Sequence, residues 1–362
     1  MSSPYASAMG RLTVRSAAFL RRETFVALTG AKDAVDIAKI LETTVYSPDL
    51  TATSATYAGE QMLEVAINRL FVRRCRGALD ATPFAGKATV SAYLRRFDVQ
   101  NIALILSAKA QGRPVSEAEM FLISSREVPA GLFAGAMTLN DFRQLLAQPT
   151  LEGVAQQLVR FGYAGALLPR LEEYQRTHDI FPLLLALDKS YYAELLRSIV
   201  YFQGDEWNVR RFVRSEIDVR NALVLLKGKD AGLPIETVLD RFLDGGEFPR
   251  SAATDAFGAP TVPELVALLQ PRFPSIVEGL PGYQSGRTLT GFEVALTRER
   301  AAREILRMRS YPLSGAILFT YLMRAELERV DLRRVVYGRR YGFPPATVLD
   351  QLVVPKLRGV AG

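Results

Sequence analysis

Apolar residues recur at helical spacing along almost the whole chain, and one such stretch occurs three times. In each copy the apolar positions are separated by steps of four, five and eight residues, which places them on one face of an α-helix. Alternating patterns bounded by turn residues, which are typical of strands, are missing. The sequence therefore predicts an all-α protein. Copy by copy, the apolar residues are Tyr93, Phe97, Ile102, Ile105 and Leu106; Val213, Ile217, Ala222, Leu225 and Leu226; and Met323, Leu327, Leu332, Val335 and Val336.

A glycine follows each copy, and a proline stands two residues later. Glycine accepts the left-handed conformation that ends many helices, and proline fits the first turn of the next one. Each copy is therefore predicted to form a helix, a sharp turn and a second helix. The pairs are Gly112 and Pro114, Gly232 and Pro234, and Gly342 and Pro344.

The copies are 120 and 110 residues apart, counted from glycine to glycine. This period is much longer than the repeat of a solenoid and suits small domains. Turn residues near positions 128 and 248 mark the boundaries. We therefore predict three similar helical domains, at residues 1–128, 129–248 and 249–362.

Two polar positions are retained in every copy. The first holds Asp98, Asp218 and Glu328, and the second, which lies within the apolar row, holds Asn101, Asn221 and Asp331. A buried amide or carboxylate needs a hydrogen-bonding partner. A catalytic residue is needed once, whereas a structural tie to a neighbouring turn is needed in every copy. The repetition favours structural ties, and an enzyme acting through these carboxylates remains the alternative.

The charge of the chain allows a second function class. The sequence has 45 lysines and arginines against 38 acids, a net charge of +7. Such an excess can indicate a nucleic acid or another acidic partner. The arginines stand in scattered pairs with acids nearby, which favours an ordinary solvated surface. A helical scaffold that binds nucleic acid through its arginines stays as the alternative to a structural protein.

The third copy differs from the others in its arginines. Arg329 and Arg333 occupy positions that hold Val99 and Ala103 in the first copy. This helix face is apolar in the first two copies and cationic in the third, so in the third copy it should contact something different. We therefore take it as a candidate contact with a partner. The candidate residues are Arg329, Arg333, Arg334, Arg339 and Arg340.

Little in the sequence supports chemistry at a reactive centre. Cys75 and His178 are the only cysteine and histidine, which excludes a disulfide framework and a Cys/His zinc site. Cys75 is predicted to be a small buried thiol and His178 to stand at a helix end. The glycine- and proline-rich segment 281–288 lacks a preceding strand and is interpreted as a surface loop, not as a phosphate-binding loop. No catalytic, metal-binding or cofactor-binding residue is predicted, and no apolar run reaches the ~18 residues of a membrane span.

In the order and repetition of its motifs the chain resembles the C subunit of the prokaryotic A/V-type rotary ATPases, which is called the d subunit in eukaryotic V-type ATPases. The resemblance rests on residues 96–101, 109–114, 216–221 and 341–344, and on residues 5–8 at the start. The last match favours an ordinary first helix over a Ser- and Arg-rich transit peptide. The chain departs from the family at Met9 and Gly10, and at Glu328 and Asp331, which replace the Asp/Asn pair.

The resemblance implies a fold and a role. Family members consist of three similar helical domains around a pseudo-threefold axis, which form a funnel. The funnel receives the central shaft and sits on the membrane proteolipid ring, so the protein joins the two and transmits torque without catalysis or cofactor. Its partners would be shaft and ring, with no nucleic acid and no small-molecule substrate. It would lie at the cytoplasmic face and contact the membrane only through the complex. The coupling ion, and whether the motor makes or hydrolyses ATP, stay open.

Overall fold

The computed structural model describes residues 5–113, 133–202, 205–311 and 313–357, which contain α- and 3-10 helices and no β-strand. The prediction of an all-α protein is confirmed for this part of the chain. The α-helices are α1 (Ala6–Ser16), α2 (Arg22–Gly30), α3 (Ala34–Glu42), α4 (Ser47–Ser54), α5 (Gly59–Ala81), α6 (Phe84–Leu94), α7 (Arg96–Ala110), α8 (Leu139–Ala147), α9 (Leu151–Gln157), α10 (Ala164–Thr177), α11 (Phe181–Ser198), α12 (Glu206–Asp230), α13 (Ile235–Asp240), α14 (Arg250–Phe257), α15 (Val262–Leu269), α16 (Leu280–Gly286), α17 (Thr290–Ser310), α18 (Ile317–Arg340) and α19 (Pro345–Asp350). Short 3-10 helices span Leu158–Phe161, Ile199–Tyr201, Pro274–Gly279 and Val354–Lys356.

These helices form two compact units. One unit is built from residues 46–113 and 133–202. The other combines two separate pieces, residues 5–45 and residues 205–357. The domain boundary expected near residue 128 lies outside the described residues, and the division into three domains stays a prediction.

The apolar stripe of the repeated stretch forms the centre of the packing. All fifteen of its residues are buried, and the most exposed, Leu327, is only 7% exposed. In the second and third copies the stretch forms the continuous helices α12 and α18. In the first copy Arg95 separates α6 from α7. We call α7, α12 and α18 the repeated helices.

The predicted turn after each repeated helix is confirmed. Gly112, Gly232 and Gly342 have φ angles of 63°, 65° and 71°, the left-handed region that suits glycine. The next residue's amide donates back to the helix, for example from Phe343 to the Gly338 carbonyl at 2.9 Å, which satisfies an otherwise unbonded carbonyl. Pro234 and Pro344 directly precede α13 and α19. Pro114 lies outside the described residues.

Two predictions about single residues are confirmed, and one about a segment is wrong. Cys75 is buried, and His178 ends α10 with a φ of 55°. The segment interpreted as a surface loop instead forms helix α16, in which Pro281 stands in the first turn. Proline is favoured there because its missing N–H has no helical partner at that position. None of the described helices combines the length and apolarity needed to cross a bilayer.

Candidate functional site

The first retained carboxylate holds the chain just before α8. Asp98, fully buried in α7, accepts hydrogen bonds from the backbone amides of Ala136 at 2.8 Å and Met137 at 3.3 Å. The close approach depends on Gly135, because a Cβ there would stand 2.2 Å from a carboxylate oxygen of Asp98. The carboxylate therefore fixes the start of α8 against the first turn of α7.

The second carboxylate makes the same contact one copy later. Asp218 in α12 accepts hydrogen bonds from the amides of Glu247 and Phe248, both at 2.8 Å, directly before α14. A guanidinium N–H of Arg272 donates to its other oxygen at 2.9 Å. Gly246 takes the place of Gly135, since its Cβ would stand 2.4 Å from the carboxylate.

The third carboxylate reaches the start of the chain. The amide of Leu20 donates to Glu328 Oε2 at 2.7 Å, across 308 residues of sequence and directly before α2. The ring of Phe19 packs against Tyr321 at a centroid distance of 5.3 Å, and the Arg324 guanidinium lies 4.5 Å above the same ring. We call α2, α8 and α14 the leading helices, because each repeated helix holds the start of one of them.

A cation holds the other end of every leading helix. It stands eleven residues after the carboxylate on the same repeated helix, and it donates to carbonyls at the end of the leading helix. The bonds run from Lys109 to Leu146 at 2.9 Å, with a further one to Gln148, from Lys229 to Phe257 at 2.6 Å, and from Arg339 to Ala31 at 2.8 Å. We call each carboxylate with its cation a clamp. The sequence reasoning missed this role, although the common spacing of eleven residues carries the signal.

The two charges of a clamp suit the ends that they hold. Unpaired amides make a helix N-terminus partly positive, and unpaired carbonyls make its C-terminus partly negative. In each clamp the carboxylate lies at the N-terminus of the leading helix and the cation lies at its C-terminus. Each clamp therefore satisfies backbone groups and complements the helix dipole of the leading helix.

The second retained polar position ties a different loop. Asn221 exchanges two hydrogen bonds of 2.9 Å with the backbone of Leu243. Asp331 accepts from the amides of Val353 at 2.8 Å and Val354 at 2.7 Å. In both copies the bonded loop residue, Leu243 or Val353, stands 22 residues after the polar residue. Asn101, the matching residue of the first copy, is 6% exposed.

Burial shifts the protonation of two of these carboxyls. Removal from water raises the pKa of Asp98 from 3.8 to about 6, although its amide donors and the Arg95 charge oppose the shift. The same cause raises the pKa of Asp331 to about 6, opposed by its amide donors and by Arg334. Both groups lose a proton more readily in the unfolded chain than in the folded one.

The contribution of Asp98 and Asp331 to stability is expected to fall as the pH rises from about 4 to about 6. In that window the folded protein still binds protons at Asp98 and Asp331 that the unfolded chain has lost, so deprotonation opposes folding by about 3 kcal/mol for each group. Denaturant titrations across this range measure the slope. Asp98→Asn should make the slope shallower, and an unchanged slope would show that Asp98 does not titrate there.

Comparisons with known proteins identify the family. Residues 8–351 match the family model described as ATP synthase (C/AC39) subunit. This chain belongs to the ATP synthase (C/AC39) subunit family. The chain is similar to the C subunit of the A-type ATP synthase of Thermoplasma volcanium, with 33% identity over 98% of this chain and 99% of the relative. Identity to the same subunit of Thermoplasma acidophilum is 33%, over 99% and 100% of the two chains. The Haloferax volcanii protein of the same description is 27% identical over 88% and 89%. The resemblance noted in the sequence is confirmed.

In this C/AC39 chain the five candidate arginines of the third copy have different surroundings. Arg329 is only 6% exposed, and Arg339 bonds the backbone of Ala31 and Phe343. Arg334 is partly buried and pairs with Asp331 at 3.2 Å. Arg333 lies 5.9 Å from the ring of Tyr337, and Arg340 is exposed. Arg340 is therefore the residue of the five that is most accessible to a partner, and Arg333 is only partly buried.

The arrangement of the polar groups serves binding within the chain. The clamp carboxylates accept hydrogen bonds from backbone amides of the same chain, so they hold backbone segments in place. Among the described residues no three histidine, cysteine, aspartate or glutamate side chains come together in a way that could hold a metal ion. In this family member the clamps position the leading helices against the repeated helices.

Proposed function

We propose that this chain is the rotor adaptor of an A-type ATP synthase. In this role it joins the central shaft to the membrane proteolipid ring and transmits torque, and it carries no active site of its own. The observation that carries the proposal is the full-length match to the C/AC39 family and to relatives described as the C subunit of an A-type ATP synthase. A match over nearly the whole of both chains supports a shared role for the whole protein.

The clamps support a role in torque transmission. An element between a shaft and a ring must resist twisting, so its helices have to be fixed at more than one point. Each leading helix is held at both ends by opposite charges on the same repeated helix. Close-packed interiors transmit strain with little compression. Fixed helix ends and a dense core are what a stiff adaptor needs.

The proposed architecture is three similar helical domains around a pseudo-threefold axis, forming a funnel. The repetition of the clamps supports three similar domains. The first repeated helix holds the start of α8, the second holds the start of α14, and the third holds the start of α2.

The proposed partners are the shaft subunits and the proteolipid ring, at the cytoplasmic face of the membrane. Purified protein is expected to co-sediment with isolated proteolipid rings and to bind shaft subunits in solution. If the folded protein binds neither, the proposal is wrong.

The exposed Arg340 and the partly buried Arg333 of the third copy give a residue-level test of partner binding. We expect Arg340→Glu and Arg333→Glu to weaken binding to ring or shaft, because reversing a charge at an interface removes attraction and adds repulsion. Arg76→Glu, at an exposed position on α5, is the matched control. If all three variants bind like the parent protein, Arg333 and Arg340 are solvated charges with no partner role.

A further inference from the structure

Two helix interfaces of the protein are built from equivalent parts of the repeat. In one unit α11 packs on α6 and α7, and in the other unit α17 packs on α12. We call the first interface A and the second interface B. The two packed helices bury apolar residues at matching positions, which are Leu183 and Leu187 in α11 and Phe292 and Leu296 in α17. Apolar contacts of the same kind do not by themselves decide which helix packs on which.

The polar contacts of interface A place a cation on the repeated helix. Arg96 of α7 donates to the hydroxyl oxygen of Tyr191 at 3.1 Å, and its guanidinium lies 3.8 Å from the centre of the Tyr93 ring. Further along α11, the hydroxyl of Thr89 donates to the carbonyl of Ser198 at 2.8 Å. All five residues are buried. Interface A therefore encloses a guanidinium beside aromatic rings and hydroxyl groups.

Interface B carries its cations on the opposite helix. Arg300 of α17 donates to the carboxylate of Glu216 at 3.0 Å. Arg307, also on α17, donates to the side-chain oxygen of Asn208 at 3.3 Å and to its carbonyl at 3.2 Å. Arg300, Glu216 and Asn208 are buried, and Arg307 is partly buried. The repeated helix α12 thus supplies the acceptors, whereas in interface A the repeated helix supplies the guanidinium.

The polar residues of the two interfaces occupy equivalent positions in the repeat. On the repeated helices they stand 120 residues apart, which is the spacing of the first two copies. On α11 and α17 they have the same offset as the matching apolar residues. The matching residues are Arg96 and Glu216, Tyr191 and Arg300, and Ser198 and Arg307. The apolar part of the interface is thus retained, and the polar part differs between the copies.

We propose that these polar contacts select the partner of each helix while the chain folds. If α17 packed on α7, the guanidinium groups of Arg300 and Arg96 would face each other in a buried place. If α11 packed on α12, the carboxylate of Glu216 would be buried opposite Tyr191 without the guanidinium of Arg300. Burial of a charge without its partner is costly, and similar repeats are prone to wrong assembly. The contacts therefore act against the wrong pairing as well as for the right one.

The double variant Glu216→Arg with Arg300→Glu tests this selection, which does not depend on the proposed rotor role. The variant keeps an ion pair in interface B. It also satisfies the wrong pairing, because the new carboxylate at position 300 would suit Arg96 and the new guanidinium at position 216 would suit Tyr191. Selection by these contacts should therefore fail although the native contact can form.

Refolding of the full chain from denaturant gives the measurement. The yield of native monomer is determined by size-exclusion chromatography, and the fluorescence of Trp207, the only tryptophan, reports the start of α12 beside Asn208. We expect the double variant to refold to monomer with a yield at least about threefold below that of the parent protein. Gly279→Ala is the matched control, because it disturbs the packing of α17 without changing the polar contacts, and its yield should stay near that of the parent.

Two results would overturn the proposal. A parent-like yield from the double variant would mean that the polar contacts stabilise the interfaces but do not select partners. An equal loss of yield in Gly279→Ala would mean that the yield follows stability alone. If the double variant forms no native monomer, Glu216→Gln with Arg300→Gln decides. Two amides can still bond natively and remove both charges from the wrong pairing, so the yield should again fall, and a parent-like yield would contradict the proposal.

Discussion

Replacing the clamp carboxylates by alanine is expected to lower the free energy of unfolding by about 3 kcal/mol in each copy. Asp98→Ala leaves the amides of Ala136 and Met137 without their buried acceptor, and the other copies lose equivalent bonds. A buried donor left without a partner costs its full desolvation, which exceeds the net value of the bond. All three variants should lose stability, because each removes the acceptor that holds the chain before a leading helix.

Denaturant titrations and thermal midpoints of Asp98→Ala, Asp218→Ala and Glu328→Ala measure these losses. Asp80→Ala, at an exposed position on α5, is the control and should change stability by less than about 0.5 kcal/mol. The conservative change Asp98→Asn should lose less than Asp98→Ala, since the amide side chain keeps one acceptor oxygen. A single carboxylate that proves indispensable for function without any loss of stability would instead support an enzyme.

Gly279→Ala is expected to destabilise the protein by about 3 kcal/mol or more. A Cβ at Gly279 would stand 2.3 Å from a ring carbon of Phe292 and 2.6 Å from the backbone nitrogen of the same residue. Phe292 is fully buried in α17, so neither its ring nor the helix backbone has room to move. Gly291 faces Gly279 across this contact, and the pair lets the Pro274–Gly279 turn lie directly against α17.

Gly286→Ala is the matched control for this substitution. Gly286 ends the nearby helix α16, has an ordinary φ, and would place a Cβ with no heavy atom within 4 Å. Its replacement should change stability by less than about 0.5 kcal/mol. Thermal midpoints of both variants measure the difference. Similar thermal midpoints for the two variants would mean that the contact between position 279 and Phe292 relaxes without loss of stability.

The helical elements could be predicted because their signals are local. The apolar stripe of the repeated helices, the left-handed Gly112, Gly232 and Gly342, and the burial of Cys75 all follow from residues within a few turns of one another. Apolar periodicity indicates which face of a helix is buried, and a glycine after a helix indicates a left-handed backbone conformation. Neither depends on the rest of the fold.

The partners of the buried polar groups could not be predicted, because they are distant in sequence. The pattern indicated that Asp98 and Glu328 need partners, but the amides that supply them lie 38 and 308 residues away. Arg329 shows the same limit. Its place among apolar residues suggested a cationic surface, whereas the fold leaves it 6% exposed.

The clamp cations were missed for a different reason. Lys109, Lys229 and Arg339 keep charge but not residue type, and each stands in the ordinary basic last turn of its helix. Such residues are common there because they complement the helix dipole. Only their equal distance from the retained carboxylates distinguishes them, and that distance gains meaning once the leading helix is seen between the two.

The most direct test of the adaptor role is whether this chain bridges shaft and ring. Isolated proteolipid rings, purified shaft subunits and this protein are mixed in all combinations, and the rings are sedimented. We predict that shaft subunits sediment with the rings only when this protein is present. Shaft subunits that sediment equally well without it, or that stay in solution although this folded protein is bound to the rings, would contradict the account.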